Sequence, residues 1–171
     1  MSNFLRWNSF YRLLIILLFA FSSSCVSVKL GPSEKRVPSK KYSFAEPNPV
    51  FKVLNTDFAD KAWQSSITAN SLVVISECGP IGDQDLKKIA LEHFSALQSL
   101  EIEKEQTLPY SGREALLTIA KGQVDGVTVK MAVHTVNKNG CNYTITYLGR
   151  SEKFAQEISL MESFINGFKI Q

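Results

Sequence analysis

Histidine and cysteine are scarce in this chain: two of one and three of the other in 171 residues. No C-x-x-C or comparable short ligand spacing occurs, which argues against a zinc site built from these residues. No H-E-x-x-H, G-x-S-x-G or phosphate-cradling G-x-x-x-x-G-K motif is present, so the usual signatures of hydrolysis and phosphoryl transfer are missing. Glycine (9) and proline (6) are too few for a collagen-like or low-complexity chain. Neither sign of charge dominates. The 19 Lys and Arg exceed the 16 Asp and Glu by three, less than a nucleic-acid binder would gather on one face. No apolar run approaches the roughly 20 residues needed to span a bilayer. What remains is 44% hydrophobic and 20% charged, the composition of an ordinary globular domain with room for a tail.

The N-terminus carries an address. Arg6 and Arg12 precede an apolar run from Leu13 to Phe21, and the small residues Ser22-Ser23-Ser24 follow it, then Cys25. Positive flank, short apolar core and small residues form a secretory signal. A cysteine directly after them resembles the lipobox of bacterial lipoproteins. The resemblance implies a diacylglyceryl thioether on Cys25, cleavage before it, and a further acyl chain, typically palmitate, on the new amine. The sequence departs from the family's pattern at Ser22, where an aliphatic residue is preferred. A plain cleaved signal is the alternative. Val26 and Ser27 follow the cysteine rather than Asp, which by the same resemblance favours the outer membrane, on its periplasmic face. Two or three chains anchor stably where one is marginal.

Cleavage changes the charge balance. Arg6 and Arg12 leave, and the 19 basic residues become 17 against 16 acids. Residues 26–43 hold Lys29, Lys35, Arg36, Lys40 and Lys41 against Glu34 alone, and prolines stand at 32, 38, 47 and 49. This reads as a stiffened, solvated tether. A basic stretch beside a lipid anchor can also rest on anionic headgroups. The expected organisation is a signal over 1–24, the lipidated cysteine and basic tether over 25–47, and one globular domain over 48–171. The domain is acidic, which argues against nucleic acid.

With Cys25 assigned to lipid, Cys78 and Cys141 remain. An even remainder in an exported chain points to one disulfide, with two buried free thiols as the rival. Cys78 ends the apolar run beginning Leu72-Val73-Val74-Ile75. Cys141 opens Asn142-Tyr143-Thr144-Ile145-Thr146-Tyr147. Two strand ends can lie side by side.

Residues 49–54 read as a short first strand. Trp63 lies in a stretch without clear period, its indole on the core. Residues 71–77 are rich in β-branched side chains and read as a buried strand. Residues 83–98 read as a helix with the stripe Leu86, Ile89, Ala90, His93, Phe94 and Leu97, capped by Asp83. Leu100-Glu101-Ile102-Glu103 then alternates as a strand with one wet face. Asp125-Gly126 signals a type I′ hairpin that pairs 124 with 127, 122 with 129, 120 with 131 and 118 with 133. The turn near Asn139-Gly140 leaves two registers open. Loops of two or four residues put Thr144 and Thr146 on the face of Val129, Met131 and Val133. A three-residue loop with a bulge puts Tyr143, Ile145 and Tyr147 there. The bulged form buries more apolar area and is the expectation. A last helix, capped by Ser151, presents Phe154, Ile158, Met161 and Ile165, with Gly167 as its C′ residue.

Trp63 before a buried strand, the helix over 83–98, Gly112-Arg113-Glu114-Ala115-Leu116, the 125–126 hairpin and the closing Phe164-Ile165-Asn166-Gly167-Phe168 together resemble the Mog1/PsbP-like fold. The resemblance covers roughly 48–171. It implies an α+β architecture, a mainly antiparallel twisted sheet covered by two amphipathic helices in an α/β/α sandwich. Members share shape rather than chemistry, so no functional residue carries over.

Chemistry is sparse. His93 falls on an apolar helix stripe and His134 in a strand opposite Leu117, so both read as packing residues. Glu101, Glu103 and Glu105 alternate and could pair as carboxylates, but read as charges on the wet side of an edge strand. The expectation is a non-enzymatic, membrane-anchored periplasmic lipoprotein that binds an envelope protein partner or assists an envelope assembly. It needs no cofactor or metal. Its rivals are a carrier of a small apolar ligand or lipid in a cleft between sheet and helix, with unassigned binding residues, and an envelope hydrolase.

Overall fold

The computed structural model describes residues 37–79 and 84–171. Strands β2 (Phe51–Leu54), β3 (Lys61–Ser65), β4 (Ser71–Cys78), β5 (Gln98–Tyr110), β6 (Arg113–Val124), β7 (Val127–Lys138) and β8 (Cys141–Arg150) form one seven-stranded sheet in the order β2-β3-β4-β8-β7-β6-β5. Every neighbouring pair is antiparallel. Short strands β1 (Tyr42–Ser43) and β9 (Lys169–Ile170) pair separately. Helix α1 (Leu86–His93) covers one face. Helices α2 (Ser151–Phe154) and α3 (Ile158–Gly167) cover the other. This is the expected α+β sandwich.

The hairpin at Asp125-Gly126 has the expected register, Val124 opposite Val127 and Gly122 opposite Val129. Asp125 and Gly126 take φ of 49° and 78°, as a type I′ turn requires. The second hairpin differs from the expectation. Lys138 pairs with Cys141 across a two-residue loop, Asn139-Gly140, again with both φ positive. Thr146 therefore lies opposite Val133, and Thr144 opposite Thr135, on the α1 face. Tyr143, Ile145 and Tyr147 point to the α2–α3 face. The bulged register gathers apolar area onto one face, an advantage only where the other face is wet. Both faces of this sheet are covered, so apolar area does not choose between the registers, and the turn chemistry decides.

The other departures are local. Helix α1 is capped by Asp85, whose carboxylate accepts from the Lys87 amide at 2.9 Å; Asp83 lies outside the described residues. The helix stops at His93 rather than 98. Phe94 and Leu97 still reach the core, from tight turns closed by bonds such as Leu97 N–H to the Phe94 carbonyl. The C-terminal helix is broken at 155–157. Arg150, not Ser151, stands at its first cap position. Gly167 is the last helical residue, and Phe168 leaves in extended conformation, so no left-handed C′ glycine is used.

The described residues from Val37 onward already belong to the compact unit, ahead of the expected boundary at 48. Residues 37–47 are a strap. The Val37 carbonyl accepts the Cys78 amide at 2.8 Å. Ser39 N–H donates to Ser76 Oγ, and its hydroxyl meets Tyr143 Oη at 2.9 Å. Tyr42 stacks on Phe168 at 5.1 Å, and Phe44 packs edge-on to Trp63 at 5.6 Å. The strap's aromatic residues supply part of the core that a domain beginning at 48 would lack.

Candidate functional site

Cys78 and Cys141 are joined, with Cα atoms 4.1 Å apart. The β4–β8 register sets them directly opposite. Cys25, the expected lipidation residue, lies outside the described residues.

The histidines lie on different elements, His134 buried on β7 and His93 half-buried at the end of α1. His134 on β7 is 3% exposed and meets the Tyr110 ring edge-on at 4.7 Å. Burial lowers its pKa to about 4, so it is a neutral filler at physiological pH. His93 is lowered by burial too, against a smaller raising effect from Glu92. The three glutamates do not share a face. The β5 register shifts between Ile102 and Lys104. Glu103 then pairs with Lys130 at 2.7 Å, while Glu105 meets Lys87 of α1 on the opposite side at 3.1 Å. They serve edge and helix, not paired acid–base chemistry.

The densest polar constellation was not anticipated. Glu157, between α2 and α3, is buried. Its carboxylate accepts from Ser65 Oγ at 2.7 Å, Thr68 Oγ1 at 2.5 Å and Asn70 Nδ2 at 3.3 Å. Asn70 also donates to Tyr147 Oη at 2.7 Å and to the Lys153 carbonyl. The Tyr147 hydroxyl donates on to the Phe154 carbonyl at 3.1 Å. Burial first, then the Glu157 charge, push the Tyr147 phenol up to about 12, against a lowering bond from Asn70. The sequence held one signal for it: a carboxylate three residues after Phe154 and four before Met161, inside an apolar stripe. The cluster ties the turn after β3 to the helix break. Sealed from solvent, it reads as architecture rather than as a reaction site.

A second cluster fixes the strap. The Asp60 carboxylate accepts from the Ser76 amide at 2.8 Å, from the Ser76 hydroxyl, and from Tyr42 Oη at 3.3 Å.

Among the depressions of the described surface, three bear on binding. One of about 470 Å³ is open, lined by Leu86, Pro109, Arg113, Glu114 and Asn137. One of about 280 Å³ lies between the strap and α3, lined by Ala45, Pro47, Leu160 and Phe164. The third, about 180 Å³, is a notch between α1 and the irregular part of β5, lined by Ala90, Leu91, Ile102 and Thr118, with Lys87 and Glu105 also at it. Among the described residues, no group of three or more His, Cys, Asp and Glu could hold a metal. None of the described helices is long and apolar enough to cross a membrane.

No protein-family profile matches the chain, and no curated protein matches it in sequence. Solved structures do match in shape. Cyanobacterial PsbP (CyanoP) from Synechocystis sp. PCC 6803 superposes with a TM-score of 0.57 at 12% identity, over 80% of this chain and 92% of that one. LpqN of Mycobacterium tuberculosis, described as involved in cell envelope biogenesis, gives 0.57 at 11% identity over 82% and 87%. A protein of Bacteroides thetaiotaomicron VPI-5482 gives 0.56 at 8%, over 80% of this chain and 47% of that one. At these identities the likeness is one of fold, and the fold is PsbP/Mog1-like.

Proposed function

We propose that this is a membrane-anchored lipoprotein of the bacterial envelope, held by acyl chains on Cys25 at the periplasmic face of the outer membrane. It works without catalysis, by binding an envelope protein or assisting an envelope assembly. The observation that carries this is the conjunction of Cys25 after a signal-like run with a disulfide-closed PsbP/Mog1-like body, the fold it shares with LpqN. A covalently closed body suits an oxidising compartment. His134 supports the non-catalytic reading, since it is buried against the Tyr110 ring and held neutral.

Two measurements test it. The intact mass of protein extracted from its native membrane should equal residues 25–171 plus acyl chains, and should rise by two hydrogens on reduction. A mass without lipid removes the anchor and the outer-membrane placement. In vivo crosslinking should then recover a partner absent from a control carrying only the signal and tether; recovery of nothing above that control refutes partner binding.

The notch between α1 and β5 favours a second reading, a carrier of a small apolar ligand, because it is the cleft between sheet and helix that such a ligand would need. Its volume, about 180 Å³, admits only a short chain. Native mass spectrometry of detergent-free protein showing apo protein alone would remove that reading.

A further inference from the structure

The sheet has two outer edges, β2 and β5, and they are built differently. β5 carries Glu101, Glu103, Lys104 and Glu105, two register irregularities and Pro109. These are devices that discourage association along an edge. On β2, Val53 is 67% and Leu54 41% exposed, and Phe58 in the following loop is 70% exposed. Val37, where the described chain begins, is 59% exposed.

Register brings these segments to one edge of the sheet, with Val53 on the Trp63 side and Leu54 on the Ala62 side of it. Leu54 lies opposite Ala62 at the start of β3. The Asp60 amide donates to the Val74 carbonyl, and the Cys78 amide donates to the Val37 carbonyl. The end of β2, the 55–60 loop and the start of the strap therefore follow one another along the same side of β4. Exposed lysines stand on these segments at 40, 41, 52 and 61. Asp57 is exposed among them, while Asp60 is engaged by Ser76 and Tyr42.

We infer that this corner, Val37, Val53, Leu54 and Phe58 with Lys40, Lys41, Lys52 and Lys61, rests against an anionic phospholipid surface. Bulky apolar tips set among lysines suit the headgroup boundary. The tips enter the acyl margin, the lysine stems lie along it, and the ammonium groups reach phosphates. A partner strand fits less well, because β2 has only four residues and an added strand would gain few ladder bonds. The inference rests on the anchor proposed at Cys25. Val37 follows that cysteine by 12 residues, a reach of at most about 40 Å. A tether that short holds the corner near the membrane at an effective concentration of about millimolar, so a weak contact is occupied.

The test uses the acylated full-length mature chain in vesicles of phosphatidylethanolamine and phosphatidylglycerol, with and without brominated acyl chains. Phe58→Trp places an indole at the corner; the native Trp63 is buried. Ile67→Trp and Val127→Trp place the same probe at exposed sites elsewhere. Bromolipid should quench the indole at position 58 more strongly than those at 67 and 127. Lys52→Gln and Lys61→Gln should each lower the docked-to-undocked ratio about fivefold. Vesicles of phosphatidylcholine alone should lose most of the difference. Equal quenching at the three positions, or an undiminished difference on phosphatidylcholine, overturns the inference. Flotation in high salt separates the two failures. A chain that does not float removes the anchor and this inference with it. A chain that floats with equal quenching keeps the anchor and returns the corner to a protein partner.

Discussion

Glu157 offers the sharpest test of how the body is held together. Glu157→Ala removes the acceptor from two buried hydroxyls, on Ser65 and Thr68. Those hydroxyl oxygens are already occupied as acceptors. Ser65 Oγ takes the amides of Ile67 and Thr68, and Thr68 Oγ1 takes the amide of Asn70. Each hydroxyl proton therefore loses the acceptor it has in the native cluster. Asn70 suffers less, since Tyr147 and the Lys153 carbonyl still receive its amide. A stranded buried donor costs about 1–3 kcal/mol. Two of them, with the small cavity left by truncation, give a loss of about 3–5 kcal/mol. Glu157→Gln keeps one oxygen acceptor and the side-chain shape, and should cost about 1–2 kcal/mol.

Urea unfolding of the oxidised protein reads both values, provided the slope with denaturant is unchanged between variants. An independent readout is Tyr147. Removing the Glu157 charge should lower its ionisation from about 12, leaving burial as the principal cause of the remaining shift. Alkaline absorbance titration follows the phenolate. If Glu157→Ala lies within about 1 kcal/mol of the parent, or the two variants are equal, the cluster is not the tie described here.

Three further outcomes are expected. His134 is held near pKa 4 against an ordinary 6.5, so the unfolded chain binds more protons between those values. Stability should be intact above about pH 6.5 and fall toward pH 4 by roughly 3 kcal/mol, and His134→Phe should flatten that limb; an unchanged limb in acid urea titrations refutes it. Gly149→Ala would set a methyl 1.9 Å from Asn70 Oδ1, whereas at Gly79 nothing lies within 4 Å. The first should cost about 1–3 kcal/mol and be partly rescued by Asn70→Ala, while Gly79→Ala should be near neutral; additivity of the first pair in thermal melts counts against the contact. Replacing Cys78 and Cys141 together by Ser opens a loop of sequence separation 63, with an expected loss of about 4 kcal/mol, and a shift under about 1 in urea unfolding contradicts it.

How far the sequence discloses this fold can be judged at its turns. The Asp125-Gly126 hairpin was legible because turn chemistry and alternation agreed, and register follows from a two-residue loop by counting. The same chemistry stood at Asn139-Gly140, yet a larger apolar yield argued for the bulge. Apolar yield decides register only when one face is buried, and nothing local in β8 shows that α2 and α3 lie over the other. The strap was illegible for a related reason. Its lysines and prolines have the composition of a linker. Only the long-range partners Phe168, Trp63 and Tyr143 give Tyr42, Phe44 and Ser39 a place in the core. The Cys78–Cys141 bond was legible from parity and strand ends, because oxidation chemistry limits the possibilities more tightly than packing does.

The architecture also says where function can reside. A sheet covered on both faces keeps its largest aromatic side chains, Trp63, Tyr143, Tyr147 and Phe94, for cohesion. Burying Glu157 and Asn70 spends polar chemistry on joining turn to helix break. Recognition is thereby pushed to the rims: the notch beside β5, the depression beside α3, and the apolar corner at β2. Of these, the β2 corner bears both unguarded apolar side chains and the point where the rest of the chain joins the body. On the proposed anchor at Cys25, a contact placed there gains most from a short tether, since each residue added between anchor and surface dilutes it. Lengthening the 26–36 segment with Gly-Ser repeats should therefore weaken lipid contact at position 58 while leaving flotation and the stability of the body unchanged. Contact at position 58 that is insensitive to added length would mean that the corner binds lipid tightly by itself, without help from the tether.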